Sequence, residues 1–147
     1  MKDLLYLRDD QIKDCIQLLL YAYRETFSDP IKILKKNSLG PAHHRTLNLV
    51  ERNQGISVSE LLIKLKITKQ SLNRVLRDLK KLKIIKQIKD QNDSRRKLLY
   101  LDSLGKKFYN EVFETQKKRI FNALKSSDSD SVLKFKEVLK KIINGKK

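Results

Sequence analysis

Ser57-Val58-Ser59-Glu60-Leu61-Leu62-Ile63-Lys64-Leu65-Lys66-Ile67-Thr68-Lys69-Gln70-Ser71-Leu72-Asn73-Arg74-Val75-Leu76-Arg77-Asp78-Leu79 holds two helices with almost nothing between them. Ser57 followed three residues later by Glu60 fits a capping box. The Ser57 hydroxyl accepts from the Glu60 amide, and the Glu60 carboxylate reaches back to the Ser57 amide. A short helix, Val58 to about Leu65, comes next. Only Lys66 and Ile67 separate it from Thr68, which caps the second helix. Helices joined by so tight a turn cross at a large angle, the helix-turn-helix arrangement.

The second of these helices, about Lys69 to Leu82, puts Leu72, Val75, Leu76, Leu79 and Leu82 on one face. At about 100° per residue, Gln70, Asn73, Arg74, Arg77 and Lys81 gather opposite, with Asp78 toward the edge. Amide side chains and arginines without a carboxylate suit the major groove of duplex DNA. There Asn and Gln bond adenine in bidentate fashion and Arg does the same with guanine. Gln70, Asn73, Arg74 and Arg77 are the expected groove-facing set, with Thr68, Lys69 and Ser71 near phosphates at the helix start. A solvated surface face is the alternative for an isolated helix. The basic hairpin immediately C-terminal to this helix argues against that alternative.

After the helix the period changes. Residues 84–88 and 97–101 are rich in β-formers and read as strands around a polar loop, Asp90 to Arg96. The two make a hairpin wing carrying Arg95, Arg96 and Lys97, suited to a narrow, electronegative minor groove. Asp93, two residues before Arg95, is placed to orient its guanidinium through a bidentate pair.

Working outward, Ile12, Cys15, Ile16, Leu19, Leu20, Tyr23 and Phe27 recur at helical spacing. They predict one long helix over about 9–34, kinked or interrupted at Pro30. Pro41 suits the first turn of a helix running to about Arg52. Past the wing, Asp102 is the expected cap of a long helix from about Ser103 to Leu124. Ser126-Ser127-Asp128 restarts a last helix to about Ile143. The fold class is therefore mainly α with a small β-hairpin wing.

The net charge of +17, from 34 Lys and Arg against 17 Asp and Glu, attracts polyanions. A Lys-rich overall composition is the competing explanation. One cysteine excludes an intrachain disulfide. No apolar run approaches the roughly 20 residues that span a bilayer, so no membrane partner is expected. Met1-Lys2-Asp3-Leu4 does not read as a secretory leader, and the default expectation is cytoplasmic. There is no Gly-rich phosphate loop, no Cys/His metal spacing and no nucleophile-base set. No enzyme activity, metal or cofactor is expected. Sequence-blind DNA packaging and RNA binding stay open as alternatives, although the deep groove of A-form RNA excludes a helix.

Asn92-Asp93-Ser94-Arg95-Arg96-Lys97-Leu98-Leu99-Tyr100-Leu101-Asp102-Ser103-Leu104-Gly105 resembles the wing and following helix start of MarR-type regulators. Asp93 and Arg95 match the family's Asp-x-Arg wing tip, and Leu101 and Gly105 match its Leu-Thr-x-x-Gly, with Asp102 in place of Thr. Ile67 to Leu76 resembles the family's recognition helix. Together with Ala42-His43-His44-Arg45, the chain is most similar to the PetP-type subgroup. The resemblance covers nearly the whole chain and is strongest over 56–105. One departure is Lys83, where the family usually has Gly. A left-handed Lys there costs on the order of 1 kcal/mol.

The resemblance implies one domain over 1–147, with 9–34 and 103–147 as dimerisation helices and 41–101 as the DNA-binding region. It implies a homodimer on double-stranded, pseudo-palindromic DNA, acting mostly as a repressor. It also implies release by a small ligand or an oxidant. Tyr23, His43 and His44 are the candidates for an effector pocket, although the residues favour helix packing for Tyr23, and one packed or exposed and one hydrogen-bonded ring for the histidines. Adjacent histidines point about 100° apart and form no chelating pair by themselves. Cys15 is the candidate redox residue. Its register with Ile12 and Leu19 favours a buried core thiol instead.

Overall fold

Pro30 divides the first apolar segment in two. In the computed structural model, which describes residues 4–145, a single 3-10 turn at Leu5–Leu7 leads into α1 (Asp9–Ser28), and α2 (Ile31–Lys36) starts afresh after the proline. The ring removes a donor and blocks the preceding turn, so the helix expected over 9–34 is two helices. The reading of Met1-Lys2-Asp3 falls outside the described residues.

α3 (Pro41–Arg52), β1 (Ile56–Ser57), α4 (Val58–Leu65), α5 (Lys69–Lys81), β2 (Ile85–Lys89) and β3 (Lys97–Leu101) come next. The strands form one antiparallel sheet in the order β1-β3-β2. Ile56 pairs with Leu99 and Ser57 with Leu98, while β2 and β3 pair from Ile85–Leu101 to Lys89–Lys97. The hairpin is thus the expected wing, shifted by one residue at its first strand. A third strand, β1, lies beside it. Two residues are too few to show an alternating pattern.

Leu47 and Val50 of α3, Leu61 of α4, Leu72 and Leu79 of α5, Ile85, Leu99 and Val112 are fully buried and form one core. Its burial drives the segment from α3 to β3 into a closed unit. Two lysines adopt left-handed backbone to make the tight connections. Lys66, at φ 53°, turns α4 into α5, and Lys83, at φ 58°, ends α5. Beyond Lys83, the Ile84 N–H donates back to the Leu79 carbonyl at 3.0 Å, the closing bond of a Schellman turn.

α6 (Gly105–Lys125) begins two residues later than expected, and Asp102 is not its cap. The Asp102 N–H donates to the Ile84 carbonyl at 2.8 Å and the Leu104 N–H to the Lys83 carbonyl at 3.1 Å. Backbone committed to that crossing cannot yet wind into a helix. Gly105 is required at the helix start because a Cβ there would stand 2.1 Å from the Ile84 carbonyl oxygen. α7 (Ser129–Asn144) starts after Ser126-Ser127-Asp128 as expected, and Asp128 caps it, accepting from the Ser131 N–H at 2.8 Å.

Among the described residues, none of α1 or α7 is buried. Ile12, Ile16, Leu19 and Tyr23 of α1 are exposed, as are Phe121 of α6 and Phe135 and Ile142 of α7. Cys15 is exposed with them, which corrects the expectation of a core thiol. Its neighbours in register, Ile12 and Leu19, are exposed too. α1 is tied to α6 at one end, where Arg119 donates to both Asp29 carboxylate oxygens at 2.7 and 2.9 Å. That guanidinium holds the Asp29 carboxyl below the usual carboxylate range.

Candidate nucleic-acid interface

Thr68 starts α5 as its cap, accepting from the Ser71 N–H at 3.1 Å and donating to the Ser71 hydroxyl at 2.8 Å. The buried Leu72, Val75, Leu76 and Leu79 orient the helix, so Lys69, Gln70, Ser71, Asn73, Arg74 and Arg77 all face solvent. No acidic residue lies in its first turn. The positive end of the helix dipole therefore adds to the lysine and arginine field.

The wing folds toward this helix. Lys69, Asn73 and Arg77 of α5 and Arg95, Arg96 and Lys97 of the wing line one groove of about 570 Å³, floored by Val58 and Leu62 of α4. Gln70 and Arg74 lie outside this groove's lining and remain on the exposed face of α5. At the tip, Asp93 Oδ1 accepts from the Arg95 backbone N–H at 3.0 Å and meets Arg95 Nε at 3.4 Å. The expected bidentate pair is not formed. Asp93 chiefly holds the turn, and the Arg95 side chain stands 92% exposed.

Two contacts have no signal in local sequence. The Glu60 N–H caps on Ser57 Oγ at 3.1 Å as expected. The Glu60 carboxylate, however, meets Arg96 Nη2 at 2.6 Å instead of returning to the Ser57 amide. His43 Nδ1 accepts from the Gly40 N–H at 3.0 Å, so its proton sits on Nε2, 2.9 Å from Asp78 Oδ2 on α5. His43 thus bridges the α3 start to α5.

His43 is absent from the lining of the cavity that takes in the other two pocket candidates. Tyr23, Phe27, Leu34, Leu39, Pro41 and His44 are among the residues around a largely apolar space of about 360 Å³, with Arg24 and Lys35 at its edge. His44 is buried, 5.3 Å from the Phe27 ring centre to centre, and its Nε2 has no hydrogen-bond partner among the described residues. Burial holds its imidazole below the usual histidine value, with the Arg45 charge acting the same way and the Gln116 side chain opposing. The Gln116 amide donates instead to the Thr26 carbonyl at 2.8 Å. Among the described residues no three of His, Cys, Asp or Glu gather as a metal site.

Residues 37–96, from the α3 approach to the wing, match the model of the MarR family. Over 141 residues the chain is 34% identical to the HTH-type transcriptional regulator PetP of Rhodobacter capsulatus, covering 96% of this chain and 85% of PetP. The chain belongs to the MarR family. This MarR-family protein is a transcriptional regulator with the winged-helix fold, and its similarity to PetP extends into the outer helices. Its fold is similar to that of NadR in complex with 4-hydroxyphenylacetate (TM-score 0.75, 23% identity, 87% of this chain and 91% of NadR). It is similar too to an S. aureus MepR mutant bound to an oligodeoxyribonucleotide (TM-score 0.61, 19% identity, 86% of this chain and 94% of that one).

Proposed function

We propose that this MarR-family regulator is a homodimeric repressor that reads a pseudo-palindromic operator in double-stranded DNA. The observation that carries this reading is the groove shared by α5 and the wing, where exposed amide and cationic side chains sit over an apolar floor. α5 enters the major groove. Gln70, Asn73, Arg74 and Arg77 face base edges, and Thr68, Lys69 and Ser71 lie by the backbone. Arg95 and Lys97 approach the adjacent minor groove. The oligonucleotide complex of MepR supports the same use of the fold.

The chain is one domain, with residues 41–101 reading DNA. Residues 9–34 and 103–147 join two copies through the exposed faces of α1, α6 and α7. Two α5 helices then meet half-sites about one helical turn apart. No helix among the described residues is long and apolar enough to cross a membrane, and the protein acts in the cytoplasm without catalysis.

The cavity of Tyr23 and His44 is the effector site. Its apolar walls take an aromatic body, and the unpartnered His44 Nε2 takes a polar group. Gly40 lines the cavity while its N–H holds His43, and His43 holds Asp78 of α5. A ligand that moves the α3 start therefore moves the recognition helix. 4-Hydroxyphenylacetate, the ligand of NadR, is the first probe for the site.

Competition binding tests the DNA reading. A duplex selected by the protein from a random pool should be preferred over random duplex by about 10³-fold or more at physiological salt. Near-equal affinities with a steep salt dependence would show sequence-blind packaging instead. Preference for single-stranded or A-form RNA would replace the reading altogether.

A further inference from the structure

Adjacent arginines of the wing are held in different ways. The Arg95 side chain is 92% exposed, and the Arg96 side chain 47%. Arg96 sits at the base of the tip. Its carbonyl accepts from the Asp90 N–H at 3.0 Å, and its N–H donates to the Asp93 carbonyl at 2.9 Å. Its guanidinium lies between two carboxylates. Nη2 donates to Glu60 Oε1 at 2.6 Å, and Nη1 reaches Asp90 Oδ2 at 3.4 Å. Asp90 is itself fixed, its other oxygen accepting from the Asn92 N–H at 3.0 Å.

Glu60 belongs to α4, so the contact joins the wing to the helix-turn-helix across 36 residues of chain. Its place matters mechanically. β1 pairs with β3 only at Leu98 and Leu99, so beyond Leu98 the β1 side gives the hairpin no further strand contact. The Glu60–Arg96 bond is the next tie outward on that side. The charge balance points the same way. A guanidinium already facing two carboxylates offers little to a phosphate. An unneutralised Glu60 beside a DNA face would repel the duplex.

We infer that Arg96 is a positioning residue. With Glu60 and Asp90 it clasps the wing to α4, setting the angle at which Arg95 and Lys97 meet the duplex, and it does not itself neutralise a phosphate. The inference rests on the DNA face under Proposed function. It divides the basic run Arg95-Arg96-Lys97 into a reader, a strut and a strand-end cation.

The test uses the full chain, with Arg96→Ala, Glu60→Gln, the double variant of these two, and the reversed pair Glu60→Arg with Arg96→Glu. Affinities for a duplex selected by the wild type and for random duplex are read by fluorescence anisotropy across salt. Exchange of the 90–97 amides is read without DNA. Each single change should lower the preference for the selected duplex by about two- to fivefold, the range an exposed ion pair carries. The double change should do no more than either alone. Wing amides should exchange faster in both singles, and the reversed pair should recover preference and protection together.

Removing Glu60 takes a negative charge from the DNA face, so by field alone it would tighten binding. A lost preference in Glu60→Gln is therefore the decisive sign. The inference is overturned if Glu60→Gln keeps or raises the preference. It is equally overturned if Arg96→Ala lowers the salt slope by about one per subunit, as a lost phosphate contact does. If the wild type itself shows no preferred duplex, the DNA reading fails, and unchanged exchange of the wing amides would sink the clasp separately.

Discussion

In α5, Leu72, Val75, Leu76 and Leu79 are all buried, whereas in α1, Ile12, Ile16, Leu19 and Tyr23, at the same helical spacing, are all exposed. Both helices repeat apolar residues at helical spacing, more sharply in α5 than in α1. Only the inner one finds its complement in its own chain, from α3, α4, β2 and β3. The contrast teaches that an apolar stripe specifies that a face will be covered, not what covers it. For α5 the cover is intramolecular and the opposite face is left exposed, the face that the proposed function gives to DNA. For α1 and α7, in the proposed dimer, it is a second copy.

The hardest blow to this contrast is to the inner region. Leu72→Ala should cost about 2–5 kcal/mol of folding stability, read by urea unfolding, and the cost should not depend on protein concentration. Next comes the outer region. Phe135→Glu places a charge on the exposed face of α7 and should cost about 2 kcal/mol or more of association, since a buried unpaired charge is strongly penalised. Sedimentation should then show monomers that keep wild-type helical content. If Phe135→Glu unfolds the chain instead, the two regions form a single core and the contrast is wrong.

A third change should touch neither region. Arg95→Ala should weaken operator binding by about 1–3 kcal/mol while unfolding and self-association stay at wild-type values. Arg74→Ala should alter which bases are tolerated. A uniform loss across operator variants would make Arg74 a phosphate contact.

The smallest effect concerns the seam between the regions, where His44 of α3 meets Phe27 of α1. Burial depresses the His44 pKa in the folded state, so the unfolded chain binds its proton first as pH falls. Stability should therefore be undiminished well above the usual histidine value and decline below it, until the folded form also protonates. The slope should not exceed about 1.4 kcal/mol per pH unit. Urea midpoints between pH 7.5 and 5 should converge on a flatter line in His44→Gln, and equal slopes in both proteins would remove His44 as the cause.

Legibility in the sequence falls with distance along the chain. Pro30, the Thr68 cap, the α5 stripe and the hairpin are local signals, and they stand where the residues place them, the hairpin's first strand one residue on. The left-handed Lys83 is legible only through the resemblance, since a lysine gives no local sign of that backbone. Glu60 reads locally as half of a capping box, because its cap is adjacent while its partner Arg96 lies 36 residues away. For the same reason His43 reads beside His44 as a candidate for the same pocket. Its partner Asp78 is 35 residues on, and the two rings diverge into a bridge and a cavity wall. Cys15 has the register of a buried residue, and nothing within one chain buries it.

Gly105 gives the molecule a fulcrum. The first residue of α6 rests against the Ile84 carbonyl, at the root of the wing's first strand, with no room for a side chain between them. The 21 residues of α6 make a rod about 31 Å long. A pivot of only about 5° about that joint would sweep the rod's far end through roughly 3 Å. Taken in reverse, in the proposed dimer whatever clamps the two far ends together sets the pitch of both hairpins at once.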